Sequence, residues 1–456
     1  MKQIRHLYLI LLLALYGAMG LHAQVSVQIE NAPFGMNRFS VLSFRDYISL
    51  SPVFLAEKQG AEEQAELTFK IETPTWVRVS VANLSADLLA IPGHSYRFKA
   101  INDPQYPYLD RISASDKNDP NWALDSLNIA VNRFLNTNGT RLYSGGLAQQ
   151  TAAFCDSLHT AFSFQAEPLF QTYLNFRLDE LRLLAKVFSD QKYFSIRFAK
   201  LPFQPENPDY MYAFSEMYKR RFGQILLKNK MSAAQGLINN FKGCDTLSRF
   251  MAQEPFYPLG ALGEGAILFG LEELLSDKKY ATDAILYLFN NYADSSDFPE
   301  VRQVAAALYK KHKLPVPGDA APEITVENKS GLQSAVPTDY NKPVYLCFFA
   351  PQTQVIDSEL AALNELKKKL KDQLVLMPVI INSEKPALIK LQTALKLNVE
   401  LYRNVQFSVL ADFRLKNDCT CMVLSPDGTY ILPKAPLPSA PDAEQQLVAA
   451  AKSVRR

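Results

Sequence analysis

Val344-Tyr345-Leu346-Cys347-Phe348-Phe349-Ala350 is an unbroken apolar run with no charged residue. A strand with one wet face alternates apolar and polar residues. This run does not, so it predicts a strand covered on both faces. Downstream the period changes. Leu363, Leu366 and Leu370 form an apolar stripe over residues 360–370, with Lys367, Lys368, Lys369 and Lys371 mostly opposite it. That is an amphipathic helix whose lysines are a solvated face. Residues 374–381 read as a second buried strand. Segments 420–424 and 429–432 flank Ser425-Pro426-Asp427-Gly428, which has the chemistry of a hairpin turn. Residues 443–454 close as a helix. The order strand, helix, strand, helix, strand, hairpin, helix predicts a small α/β sheet with helices on its faces.

Working upstream, Leu314-Pro315-Val316-Pro317-Gly318 breaks the pattern and marks a domain boundary. Before it, residues 116–314 have a helical period. Leu174, Leu178, Leu181, Ala185 and Phe188 form one stripe; Met211, Phe214, Tyr218, Phe222 and Ile225 form another. Asp209 is read as the N-cap of the second. Further helices are expected over 267–275, 281–292 and 301–312. The region predicts a helical bundle whose Tyr and Phe stripes are packing. Residues 24–115 have period two instead: Val25, Val27 and Ile29; Leu67, Phe69 and Ile71; Val77, Val79 and Val81; Tyr96 and Phe98. Pro74 and Pro92-Gly93 are turns. A sandwich of short antiparallel strands is expected. The fold class is therefore multi-domain: N-terminal antiparallel β-sandwich (24–115), helical middle region (116–314) and C-terminal α/β domain (315–456).

Residues 1–23 read as a secretory signal. Lys2 and Arg5 precede an apolar run over 7–21, and Leu21-His22-Ala23 offers a cleavage site before Gln24. The run is shorter than the ~20 residues that span a bilayer. No cysteine lies near the cleavage point for a lipid anchor. An extracytoplasmic protein, periplasmic or otherwise exported, is expected, with no membrane span after cleavage. Removing the signal takes Lys+Arg from 48 to 46, equal to the 46 Asp+Glu. That neutrality argues against a nucleic-acid partner. The 28 Phe and 21 Tyr can fill sizeable cores and exclude a disordered chain. His94, His159 and His312 lie far apart, so a zinc site built on histidine is not expected. No phosphate-binding loop, nucleophile elbow or dinucleotide fingerprint is present, and no cofactor or metal is expected.

The C-terminal segment resembles the thioredoxin-like, TlpA-type family of exported thiol-disulfide proteins. Gly318-Asp319-Ala320-Ala321-Pro322 is similar to that family's opening "G-x-x-A-P". Residues 344–350 are similar to its first central strand, "v-l-v-n-F-W-A". Glu359-Leu360 matches its "E-L", and Ser425-Pro426-Asp427-Gly428 its hairpin "D-x-D-G" apart from the first residue. The resemblance covers about 140 residues of the chain. Leu89-Ala90-Ile91-Pro92-Gly93-His94-Ser95-Tyr96, ahead of a helical middle and a thioredoxin-like end, resembles an architecture of exported Bacteroidetes proteins.

The departure from the family is chemical. The resemblance places C-x-x-C after Ala350, yet counting back from Glu359 puts Thr353 and Ile356 at those positions. Thiol exchange needs a low-pKa thiolate at a helix start and a second thiol one turn on. Neither side chain supplies one. The family's cis-proline position falls on Cys419, and a non-proline cis bond costs ~3 kcal/mol, so a trans peptide and a reshaped loop are expected. Cys419 and Cys421 form a C-x-C pair whose side chains share one strand face. A disulfide within the pair would be strained and easily reduced. Cys347 is read as a buried small hydrophobe. Bridges from Cys347 to Cys419 or Cys421, and from Cys155 to Cys244, stay open beside simple burial. The resemblance implies a non-catalytic thioredoxin-like binding or scaffolding protein of the cell envelope, with an unidentified protein or peptide partner. The alternative is a divergent thiol-disulfide oxidoreductase using Cys419 and Cys421, with Cys347 as a further candidate. A ligand-binding role for the N-terminal sandwich, such as glycan capture, would be supported by exposed tryptophan, but only Trp76 and Trp122 are available.

Overall fold

The computed structural model describes residues 23–33, 37–60, 62–103, 105–112, 116–143, 146–228, 231–240, 243–337, 339–350, 355–370, 373–381, 383, 385–405, 413, 415 and 419–453. Residues 1–22 of the expected signal segment, Thr353 and residues 416–418 before Cys419 lie outside them. The chain divides into two compact units, Met1–Lys313 and Leu314–Arg456.

The first unit begins with β1 (Ala23–Glu30), β2 (Asn37–Phe44), β3 (Pro52–Gly60), β4 (Ala65–Ile71), β5 (Thr75–Val81), β6 (Leu84–Ala90), β7 (Ser95–Ile101) and β8 (Tyr108–Arg111). They form two four-stranded sheets, β4-β1-β7-β8 and β3-β2-β5-β6. Period-two patterning aims one face of each inward. In β4, Ala65, Leu67, Phe69 and Ile71 are buried and the residues between them are exposed. These side chains meet Phe39, Val41, Val77, Val79 and Val81 of the other sheet in one core. One pair departs from the antiparallel expectation: β1 runs parallel to β7, with Val27 opposite Tyr96. A tight hairpin would force opposite directions, but β2 to β6 lie between these strands in sequence and relax that constraint. The turn at Pro92-Gly93 explains its motif. Gly93 holds φ +82. The Tyr96 hydroxyl accepts from the Ile91 amide at 2.9 Å and donates to the Leu89 carbonyl at 3.4 Å.

Helices follow: α1 (Pro120–Tyr143), α2 (Ala148–Ala161), α3 (Pro168–Leu184), α4 (Asp190–Arg197), α5 (Pro208–Tyr218), α6 (Arg221–Lys228), α7 (Met231–Asn239), α8 (Cys244–Met251), α9 (Ala261–Leu274), α10 (Thr282–Ser295) and α11 (Pro299–His312). The stripe from Met211 to Ile225 is buried, but it belongs to two helices rather than one. Arg220 adopts φ +59 between α5 and α6, and its amide donates to the Glu273 carboxylate at 3.1 Å. Apolar period alone does not register such a break, because both helices turn the same face inward. The N-cap also differs from expectation. Asn207, not Asp209, caps α5, accepting from the Asp209 and Tyr210 amides. Pro208 suits the first helical position, since its fixed φ fits and it has no amide to satisfy. That moves the cap one residue ahead of the proline and releases the Asp209 side chain. In α9, Gly270 lies hard against Phe222, where a Cβ would come within 2.4 Å of the phenylalanine Cβ.

The second unit holds β9 (Ile324–Asn328), β10 (Gln333–Val336), β11 (Val344–Phe349), α12 (Ile356–Leu370), β12 (Val375–Ile380), α13 (Lys385–Ala394), β13 (Tyr402–Asn404), β14 (Thr420–Leu424), β15 (Tyr430–Ala435) and α14 (Ala443–Ser453). From β11 onward this is the expected order. The antiparallel pair β9–β10 precedes it and was not anticipated; its strands are short and joined by a turn at Gly331. The sheet runs β10-β9-β13-β12-β11-β14-β15. β11 is parallel to β12 and antiparallel to β14. Every residue of β11 is buried. Tyr345, Cys347 and Phe349 pack with the leucines of α12 and with Leu447 of α14 on one face. Val344, Leu346 and Phe348 pack with Met377, Val379 and Phe413 on the other. The chain leading into the unit is tied to the hairpin. Gly318 and Ala321 amides donate to the Tyr430 and Gly428 carbonyls, each at 2.8 Å, and the Tyr430 amide donates to the Asp319 carbonyl at 2.9 Å.

Candidate functional site

The sequence directs attention to the C-terminal end of β11 and the start of α12. Ala350 is buried at the strand end, and α12 begins at Ile356. Ile356 is half-buried and packs against the core beneath the sheet. It offers no nucleophile at the first turn. Thr353 falls in the stretch outside the described residues. Glu359, one turn into α12, is buried. Its carboxylate accepts from the Ser439 amide at 3.0 Å and from the Ser439 hydroxyl at 2.5 Å. The Glu-Leu dipeptide thus ties the start of α12 to the loop before α14, with Leu360 filling the core beside it.

The register of β11 on β14 sets Cys347 directly opposite Cys421. Cys419 packs at the margin of the same core, so three thiols gather on one face of the sheet. Cys347 has no solvent exposure and Cys421 has 3%; Cys419 is half-buried. No disulfide is formed among the described residues. Burial drives the Cys347 thiol well above its ordinary pKa, and its contact with Cys421 adds to the rise. Burial likewise holds the neighbouring Tyr345 neutral, and its hydroxyl donates to the Pro436 carbonyl at 2.6 Å. This environment protects the Cys347 thiol instead of ionising it.

The other two cysteines lie apart. Cys155 belongs to the core of α1–α3 and Cys244 to the larger core of the later helices. Each has its own partner: the Cys155 thiol donates to the Leu178 carbonyl at 3.5 Å, and Cys244 meets the Ser295 hydroxyl at 3.2 Å. Burial pushes the Cys155 thiol up to about 11 and raises that of Cys244. A bridge between them is therefore not made. Trp76 and Trp122 are partly buried against the α1–α3 core, and Trp76 also lines a cavity of the first unit.

Sequence reasoning missed a cavity of about 620 Å³ in the first unit, lined by residues from β5, β6, α3 and α5. A second, of about 560 Å³, shares Tyr47, Asp87, Tyr173, Pro208 and Asp209 with it. No local pattern signals such a site, because its walls come from segments far apart in the chain. No group of three or more His, Cys, Asp or Glu side chains that could hold a metal occurs among the described residues. No helix among them is long and apolar enough to cross a membrane.

Comparison with known proteins gives a partial likeness. No family model matches the chain, and no curated protein does. Among solved structures, it is similar to the thioredoxin domain of a thiol-disulfide oxidoreductase from Bacteroides vulgatus. The identity is 16%, covering 29% of this chain and 96% of that one, with a TM-score of 0.27. A thiol:disulfide interchange protein from Bacteroides sp. matches at 15% identity over 32% of this chain and 93% of that one, TM-score 0.27. A secreted disulfide oxidoreductase from Mycobacterium tuberculosis matches at 16% identity over 28% of this chain and 94% of that one, TM-score 0.24. The likeness to thiol-disulfide oxidoreductase-type, thioredoxin-like domains thus extends over about 30% of the chain.

Proposed function

We propose that this is an exported protein of the cell envelope whose C-terminal unit is a TlpA-type thioredoxin-like module kept for binding or scaffolding, with a degenerate active site and no thiol exchange. Its domains are read as a signal segment (1–23), a β-sandwich (24–115), a helical domain (116–314) and the thioredoxin-like domain (315–456). One observation carries the reading. The helix that would present the attacking thiolate opens on Ile356, while Cys347 is fully buried with its thiol pushed up. Exchange requires a thiolate that an outside disulfide can reach. The partner is an extended protein or peptide segment, held without covalent chemistry.

A second reading rests on the gathering of Cys419, Cys421 and Cys347 on one sheet face. Cys419, the most accessible of the three, would attack and Cys421 would resolve. Insulin reduction and trapping of mixed disulfides separate the two. The binding reading expects no turnover above the uncatalysed rate and no trapped adduct. Turnover abolished by Cys419→Ser would replace it with the oxidoreductase.

A further inference from the structure

The paired cavities of the first unit are charged, yet nearly every charge in their walls is matched. Arg78 grips Asp87 through two contacts of 2.8 and 3.1 Å. Arg177 pairs with Glu180, Arg221 with Asp190 at 3.5 Å, and Arg111 with Asp125. Each of these guanidinium groups already holds a carboxylate, so an anionic ligand would have to compete for it, although Arg111 Nη1 and Arg177 Nε are buried without an acceptor. Asp209 differs in that no ion pair holds it among the described residues. It lines both cavities. The residue retains some solvent contact, but its Oδ2 has none and receives no hydrogen bond. The helix cap that would have used this side chain is supplied by Asn207.

A desolvated carboxylate with no ion-pair partner is unfavourable, so a cation that meets its accessible edge from the cavity is favoured. The surroundings specify its kind. Tyr47 and Tyr173 also line both cavities, and Trp76 stands 6.2 Å from the Tyr173 ring. Aromatic faces attract cations. A volume near 600 Å³ fits the range of small-molecule sites. We propose that this cleft binds an organic cation, an ammonium or guanidinium group on an apolar or aromatic body, with its head at Asp209 between Tyr47 and Tyr173. The site is independent of whatever the C-terminal unit does.

The charge of Asp209 is felt by Tyr47 from the β2–β3 connection and Tyr173 on α3, and Asp87 on β6 acts on it in turn; Arg78 on β5 and Arg177 on α3 line the same cavity. Burial raises its carboxyl to about 7, with the charge of Asp87 a further cause. A cation needs the ionised form. Affinity therefore falls about tenfold for each pH unit below 7 and is level above it.

The test uses the full chain and follows tryptophan fluorescence and titration calorimetry at pH 8. The probes are phenethylammonium chloride, the peptide N-acetyl-Phe-Lys-amide, and the neutral isostere 2-phenylethanol. The first two separate a free amine from a cationic side chain as the source. Tighter binding of either than of the alcohol, by tenfold or more, supports the site. So does the pH profile, and so does loss of that preference in Asp209→Asn. Equal binding of cation and alcohol, no binding of either cation at millimolar concentration, or an unchanged preference in Asp209→Asn overturns it. Tighter binding of a neutral disaccharide such as maltose than of either cation overturns it as well. Should the variant fail to fold, the cation-to-alcohol ratio and its pH profile in the native chain still decide.

Discussion

The two units treat a buried carboxylate in opposite ways. In the C-terminal unit, Glu359 on α12 is buried and satisfied twice by Ser439. In the first unit, Asp209 has a closed-off oxygen and nothing donating to it. The same chemical group thus serves as a structural tie in one place and as unspent binding capacity in the other. The thiols follow the same division. Cys347 and Cys421 are buried among apolar side chains, near the segment where the resemblance implies chemistry. Proximity to an expected site does not make a group reactive; its solvation and partners do.

The largest expected effect tests whether the C-terminal sheet is as tightly packed as its burial indicates. Phe348→Ala should cost about 3–5 kcal/mol, as for truncation of a buried aromatic, seen as a lower guanidinium midpoint in the full chain. A loss under about 1 kcal/mol would mean that the interior relaxes freely, and the contrast between the units would fail. Next comes Glu359→Ala, which strands the Ser439 amide and hydroxyl. About 2–3 kcal/mol is expected from losing bonds to a charged acceptor, again from the denaturation midpoint.

Asp209→Asn should have the opposite sign. The Asp209 carboxyl is held at about 7 in the fold against about 4 in an unfolded chain. Between those values the native state binds more protons, so the native protein loses stability as pH rises through that window. Asparagine does not ionise. Its advantage should grow from pH 4 to pH 7 and level off above, reaching about 4 kcal/mol at most. Thermal melts of both proteins at pH 4 and pH 8 measure it. A constant difference across pH would mean that Asp209 does not titrate in this window. The smallest effect concerns Cys347. Its replacement by alanine should cost about 1 kcal/mol, the loss of one small buried group. In the native protein Cys347 should resist iodoacetamide while Cys419 is labelled, as mass spectrometry of tryptic peptides would reveal.

Much of the fold was legible in the sequence because the signals are local. The apolar run at β11, the stripe of α12 and the Ser425–Gly428 turn each state their conformation within a few residues. The turn has Gly428 at φ +85, and the Ser425 amide donates to the Thr429 carbonyl at 2.9 Å. The alternation of β4 likewise states which side chains face inward. Readings that depended on a neighbour fared differently. Asp209 looked like a helix cap until Asn207 took the part, and the stripe from Met211 to Ile225 concealed a break held by Glu273 on another helix.

What the residues determined by themselves was therefore periodicity: which segments are strands, which are helices, and which positions lack sulfur. Only the tertiary structure decided that Cys347 and Cys421 face each other across β11 and β14. It alone brought Tyr47, Asp87, Tyr173 and Asp209 around one space. The physical reason is range. Backbone preference and apolar period act over a turn or a strand, whereas desolvation and charge pairing depend on groups that arrive from distant parts of the chain.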